Sequence, residues 1–218
     1  MYTLQHYISE IRKALPLDFQ RIDDRLIIRL LNEFRAIYIK NESNKNVELP
    51  RQLIQILPGI EMNAVDQSDT FFISTESRIL KSVTAIPVPV KNSHRDLVIN
   101  IRNAKILSES YNYVTKDNAV YSGNGRYNKN DIFVFYHDNY AYIKLNKYNP
   151  KIRFLTHITI EQICENPLDC IPYQYAGYYD QLEYEYPLTD VVWGYIKSNI
   201  LKDGLGIIQS EINEQNIK

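Results

Sequence analysis

Cysteine, glycine and tryptophan are scarce in this chain, and long apolar runs are missing altogether. There are only two cysteines, Cys164 and Cys170, in 218 residues. That excludes a disulfide-stapled scaffold and fits a reducing compartment. The spacing between them is not the C-x-x-C of redox or zinc motifs, so they read as a local disulfide or, preferably, as idle buried thiols. Glycine occurs seven times, and Gly123-Asn124-Gly125 is one clustered instance. It lacks the spacing and Lys-Ser/Thr pair of a phosphate loop and the third glycine of a dinucleotide fingerprint, which leaves a turn. No stretch approaches the roughly 18 apolar residues of a membrane span, and the first fifteen residues carry Glu10, Arg12 and Lys13 where a signal peptide would be continuously apolar. Charge of one sign is also missing. The net charge is −1, with 25 basic and 26 acidic side chains, and this argues against a protein that wraps DNA by neutralising phosphates.

The usual signs of catalysis are thin. His6, His94, His137 and His157 are scattered, without a partner at i+4 or a cysteine at zinc-ligand spacing. They read as surface or satisfied core groups, with no metal or cofactor implied. A Cys–His pair using His157 has no electropositive setting in the sequence to support it. Asp23 and Asp24 stand where carboxylates cap a helix rather than where they trade protons. There is no G-x-S-x-G elbow. These readings favour a structural protein over an enzyme.

What the chain does have is helical ends and an aromatic, β-branched middle. Leu4, Tyr7, Ile8, Ile11 and Leu15 form one apolar stripe, predicting a helix over residues 3–15 with Thr3 as N-cap and Pro16 as stop. A second helix is expected over residues 23–40, with Leu26, Leu30, Phe34 and Ile37 in one row and Ile27, Leu31 and Tyr38 beside it. The short link between them allows an antiparallel pair, and residues 41–46 read as a polar loop. Short strands or extended segments are expected at residues 53–57, 71–74, 84–90 and 97–101, with Pro87 and Pro89 on an edge. Residues 132–136 and 140–145 predict a hairpin turning on Asp138 and Asn139, two residue types that tolerate positive φ. A further strand is expected at residues 153–160. Residues 173–186 hold six tyrosines between two prolines without a clean period, so they read as an ordered surface loop. A last helix begins near Thr189 with Val192, Tyr195, Ile196 and Ile200 on its stripe and Gly204 as C-cap, and a polar tail follows.

The expected architecture is therefore α+β: a small helical bundle formed by the N- and C-terminal helices, with a β-rich insertion. The parts are a helical pair (1–45), the insertion (46–186), a C-terminal helix packing on the pair (187–208) and a tail (209–218). The 18 tyrosines have two compatible explanations: high β propensity, and a surface that is wet when free and buried on assembly.

Several runs carry a resemblance. They are Leu57-Pro58-Gly59-Ile60-Glu61-Met62-Asn63-Ala64-Val65-Asp66, then Arg78-Ile79-Leu80-Lys81-Ser82 leading into Ile86-Pro87-Val88-Pro89, and Asn130-Asp131-Ile132-Phe133-Val134-Phe135 with its Tyr-rich return strand. Over most of its length the chain resembles the ring, or head–tail connector, proteins of crAss-like bacteriophages, and its layout is similar to podovirus tail adaptors. The resemblance implies a non-enzymatic virion protein, made in the host cytoplasm. It implies a homo-oligomeric ring of twelve copies beneath the portal protein, touching other ring or tail proteins and continuing the conduit through which DNA leaves without specific binding. A ring subunit meets its neighbours through a heterologous contact that closes. The candidates for that contact are Tyr173, Tyr175, Tyr178, Tyr179, Tyr184 and Tyr186 in the tyrosine-rich loop and Ile207 and Ile208 in the tail. A β-rich module for peptide or carbohydrate is the alternative, and an enzyme with a site gathered from distant residues is the third reading.

Overall fold

A computed structural model describes residues 2–16, 19, 22–65, 77–105, 109–122, 130–146, 148–151, 155–175, 177 and 179–204. The chain opens with α1 (Leu4–Ala14) and α2 (Asp24–Asn44), passes through seven strands, and ends in α5 (Asp190–Asn199). Local chemistry sets the helix starts. The Thr3 and Asp23 side chains accept the backbone N–H groups of His6 and Arg25, and Thr189 accepts that of Val192.

Between the helices lie β1 (Gln55–Val65), β2 (Ser77–Ser82), β3 (Val98–Asn103), β4 (Asn112–Tyr113), β5 (Phe133–His137), β6 (Tyr140–Asn146) and β7 (His157–Gln162). Their order across the sheet is β3-β7-β1-β2-β6-β5-β4, antiparallel except for the parallel β4–β5 pair. The predicted hairpin is β5–β6, turning on Asp138 (φ 49°) and Asn139 (φ 62°). In β1 the register against β7 shifts between Leu57 and Ile60, where Gly59 takes φ 67° and lets the long strand bend. The two edges then approach each other. Arg102 of β3 bridges Ser110, and Tyr111 donates its N–H to the Ile101 carbonyl at 2.7 Å, so the sheet nearly closes into a barrel.

The barrel has its own core. Leu57, Ile60, Val134, Ile143, Ile158 and Ile160 are among the side chains that fill it. Along β6 the alternation is clean: Ala141, Ile143 and Leu145 face that core, while Tyr142 and Lys144 face outward beneath α3 (Lys116–Tyr121). Lys144 is buried and donates to the carbonyls of Ala119 and Val120, the end of α3, where a cation suits the helix dipole.

The expected helical bundle with a β-rich insertion is overturned by this sheet. The terminal helices do share a core, but it runs on into Leu53, Val90, Leu97 and Ile163, residues flanking the strands. The helices form a layer on a barrel, not a bundle that displays an arm. The physical reason is that α2 buries two sides, and one of them faces the barrel. Arg35 on that side is fully buried and donates to three main-chain carbonyls, of Cys164 (2.7 Å), Leu53 (3.1 Å) and Pro187 (3.2 Å). Burial pushes its pKa down, yet a guanidinium stays charged.

Other expectations shift at the edges. Helix α2 runs four residues past Lys40, through the stretch read as a loop. Tertiary contacts hold this extension: Asn92 donates to the Ser43 hydroxyl at 2.9 Å, and the Ser93 N–H to the Asn44 side-chain oxygen at 3.0 Å. Gly204 falls within a π turn (Ile200–Gly204) rather than beyond a plain helix end. The expected strand at 71–74, the turn at 123–125, Tyr178, Ile207, Ile208 and the tail at 209–218 lie outside the described residues.

Replacing Arg35 with Met is expected to lower the unfolding free energy by about 3 kcal/mol, because three buried carbonyls lose their donor. Urea titration checks this: the midpoint falls at unchanged slope. A loss below about 1 kcal/mol would contradict the role given to Arg35.

Candidate functional site

The tyrosine-rich segment wraps the junction between barrel and helices. Its first turn is α4 (Ile171–Gln174), which packs on β1, and Gln174 donates to the Ile56 carbonyl at 3.2 Å. A 3-10 turn at Gln181–Glu183 packs on α1, opened by Asp180, whose carboxylate accepts the Leu182 N–H. The chain then pairs with the N-terminus: Leu4 N–H donates to the Tyr184 carbonyl, and Tyr186 N–H to the Tyr2 carbonyl.

The candidate tyrosines part company here. Tyr186 is fully buried, its hydroxyl donates to the Asn32 side chain on α2, and its ring meets Tyr7 edge-on. Tyr184 is buried as well, with its hydroxyl on Gln174. Burial pushes both phenols up from their usual range. Tyr173 is half-buried, its hydroxyl tied to Thr84 and to the Ala85 carbonyl. Tyr175 and Tyr179 are different. Their rings stack at 4.1 Å and 18°, with Tyr175 37% exposed and edge-on to Tyr184 beneath it and Tyr179 half-buried against the helical core. Ile56, 47% exposed on β1 next to the Gln174 contact, belongs to the same region.

The surface is also acidic. Asp180, Glu183 and Glu185 are all exposed, and residues 172–187 contain no Lys or Arg. An aromatic stack rimmed by carboxylates suits contact with another macromolecule, because the rings supply apolar area and the rim supplies orientation. Among the described residues no group of three or more His, Cys, Asp or Glu side chains could hold a metal ion, and no helix is long and apolar enough to cross a membrane.

The two cysteines, six residues apart in sequence, lie together under this segment. Both thiols are free and buried, with their sulfurs 3.0 Å apart. Cys170 donates to Cys164, so the Cys170 thiol is pushed up and held protonated. They are the idle buried thiols the sequence favoured over a local disulfide, and a turn at Pro167–Cys170 brings the second cysteine back over the first. Exposed Ile56 was missed: its side chain points away from the barrel core that Leu57 enters.

A family model described as phage tail ring protein 2 matches residues 7–218. No curated protein matches the chain.

The division among the tyrosines is measurable. Tyr186→Ala should lower stability by about 3–5 kcal/mol, a drop of roughly 10 °C in Tm, whereas Tyr175→Ala should cost no more than about 1 kcal/mol. Thermal unfolding followed by circular dichroism separates the two; equal losses would contradict the burial described.

Proposed function

Because the chain belongs to the phage tail ring protein 2 family of crAss-like phages, a structural component of the virion, we propose that it forms a closed twelve-membered ring beneath the portal protein. In this reading it acts as a tail adaptor that continues the DNA conduit and has no enzymatic activity. The supporting observation is the Tyr175–Tyr179 stack with its acidic rim. Two large rings held against each other in solvent are a ready contact surface at little further entropic cost. Tyr173 and, outside the described residues, Tyr178, Ile207 and Ile208 extend the same proposed contact. Tyr184 and Tyr186 support it from beneath by fixing the segment.

The near-zero net charge supports the conduit role. A strongly basic wall would attract passing DNA and slow it, and 25 basic against 26 acidic side chains build no such excess. A rigid barrel with helices locked to it suits a part that must hold its shape while neighbours pull on it.

The test is assembly of the full-length protein, followed by mass photometry and negative-stain imaging. The wild-type chain should give closed rings. Tyr175→Ala with Tyr179→Ala should weaken association at least tenfold, since an interface tyrosine that acts as a hot spot contributes about 2 kcal/mol, while circular dichroism of the subunit stays unchanged. Rings at wild-type yield from the double variant would remove the stack from the interface.

A further inference from the structure

A closed ring needs two different surfaces on each subunit, one for each neighbour, and the tyrosine stack is only one of them. A second surface lies between α2 and the extended residues 90–93. There a groove of about 320 Å³ is lined by Ala36, Ile37, Lys40, Val90, Lys91 and Glu165, among others. That size is at the bottom of the roughly 300–1,000 Å³ range of ligand pockets, so it reads as a seat for side chains rather than a chamber for a metabolite. The groove shares no residue with the tyrosine-rich segment.

Two features make this groove unusual. Ile37 stands in the apolar row of α2, yet it is 38% exposed. The rim is basic: Lys40 and Lys91 are exposed, and their ammonium groups meet no carboxylate among the described residues. Glu165 is the one acid in the lining. The apolar floor with a predominantly basic rim is complementary in character and sign to the aromatic stack with its acidic rim.

We propose that the occupant of this groove is a second copy of the chain. The Tyr175–Tyr179 stack of one subunit lies over Ile37 and Ala36 of the next, and Glu183 and Glu185 face Lys40 and Lys91. This contact is heterologous, as ring closure requires, and it deepens the ring reading on which it rests. Like-charge juxtaposition would exclude the two wrong pairings, stack on stack and groove on groove, so the charges set direction as well as attraction.

A charge exchange tests it. One variant carries Lys40→Glu and Lys91→Glu, the other Glu183→Lys and Glu185→Lys; all four positions are exposed, so both variants should fold, as circular dichroism would verify. Each variant alone should lose at least tenfold in ring yield, because its two docking surfaces then carry the same sign. Mixed in equal amounts they should recover rings of alternating subunits, visible by mass photometry when one variant carries a mass tag. Rings at wild-type yield from either variant alone would overturn the contact and leave the ring reading standing. Failure of the mixture to recover rings would also overturn it. A wild-type chain that stays monomeric at every concentration would overturn the ring reading and this contact together.

Discussion

A charged group with no carboxylate partner among the described residues sits at the centre of this fold, and its need for acceptors joins the parts. The Arg35 guanidinium ties α2 to the carbonyls of Leu53 before β1, Cys164 after β7 and Pro187 before α5. The network extends into the barrel. Gln55 donates to the Leu53 carbonyl and accepts the Cys164 N–H, Gln162 donates to the Pro87 carbonyl and to the Cys164 sulfur, and Tyr136 donates to Gln162. Each bond contributes modestly, but leaving any member unpaired in a dry interior is costly. Such a network disfavours loosening of one layer alone. The helices cannot lift from the barrel without stranding a guanidinium and three carbonyls.

That constraint explains which parts of the fold were legible in the sequence. The helix stripes, the Thr3, Asp23 and Thr189 caps and the Asp138-Asn139 hairpin all rest on neighbours within a few residues, and they appear where the pattern places them. The sheet order does not rest on neighbours. Strand β2 carries Ile79 and Leu80 side by side, both buried, because one faces the barrel core and the other the layer under α3. A strand covered on both faces loses the period of two that marks it. Arg35 interrupts an apolar helix face as a charged residue, and nothing local announces that three distant carbonyls await it. The same holds for the end of α2, where contacts from Asn92 and Ser93 extend a helix through Asn- and Ser-containing sequence that reads as a loop.

The candidate site was legible as a segment but not residue by residue. Six tyrosines between two prolines mark residues 173–186 as special, yet composition cannot say which rings turn inward. Pairing with the N-terminus decides it. Because Leu4 donates to the Tyr184 carbonyl and Tyr186 to the Tyr2 carbonyl across this junction, Tyr184 and Tyr186 are drawn into the core and their hydroxyls must find Gln174 and Asn32. Tyr175 and Tyr179, before that pairing begins, are left to stack on each other. The same amino acid thus serves as buried anchor and as exposed surface within a dozen residues.

A subunit built this way meets a ring's mechanical demand in a particular manner. When a chain's internal layers are locked by buried polar bonds, deformation under load is pushed to the places where such bonds are few, which in a ring are the contacts between copies. Those contacts must then tolerate small changes of angle without losing specificity. Aromatic rings sliding over an apolar floor permit this, since dispersion and area burial vary gradually with displacement, while charges at the rim keep the direction of the contact fixed through a longer-ranged attraction. If the proposed contact holds, a stiff interior and a compliant, sign-matched seam are two consequences of one choice: the buried hydrogen bonds are spent inside the subunit, and the surface between subunits relies on tyrosine and charge.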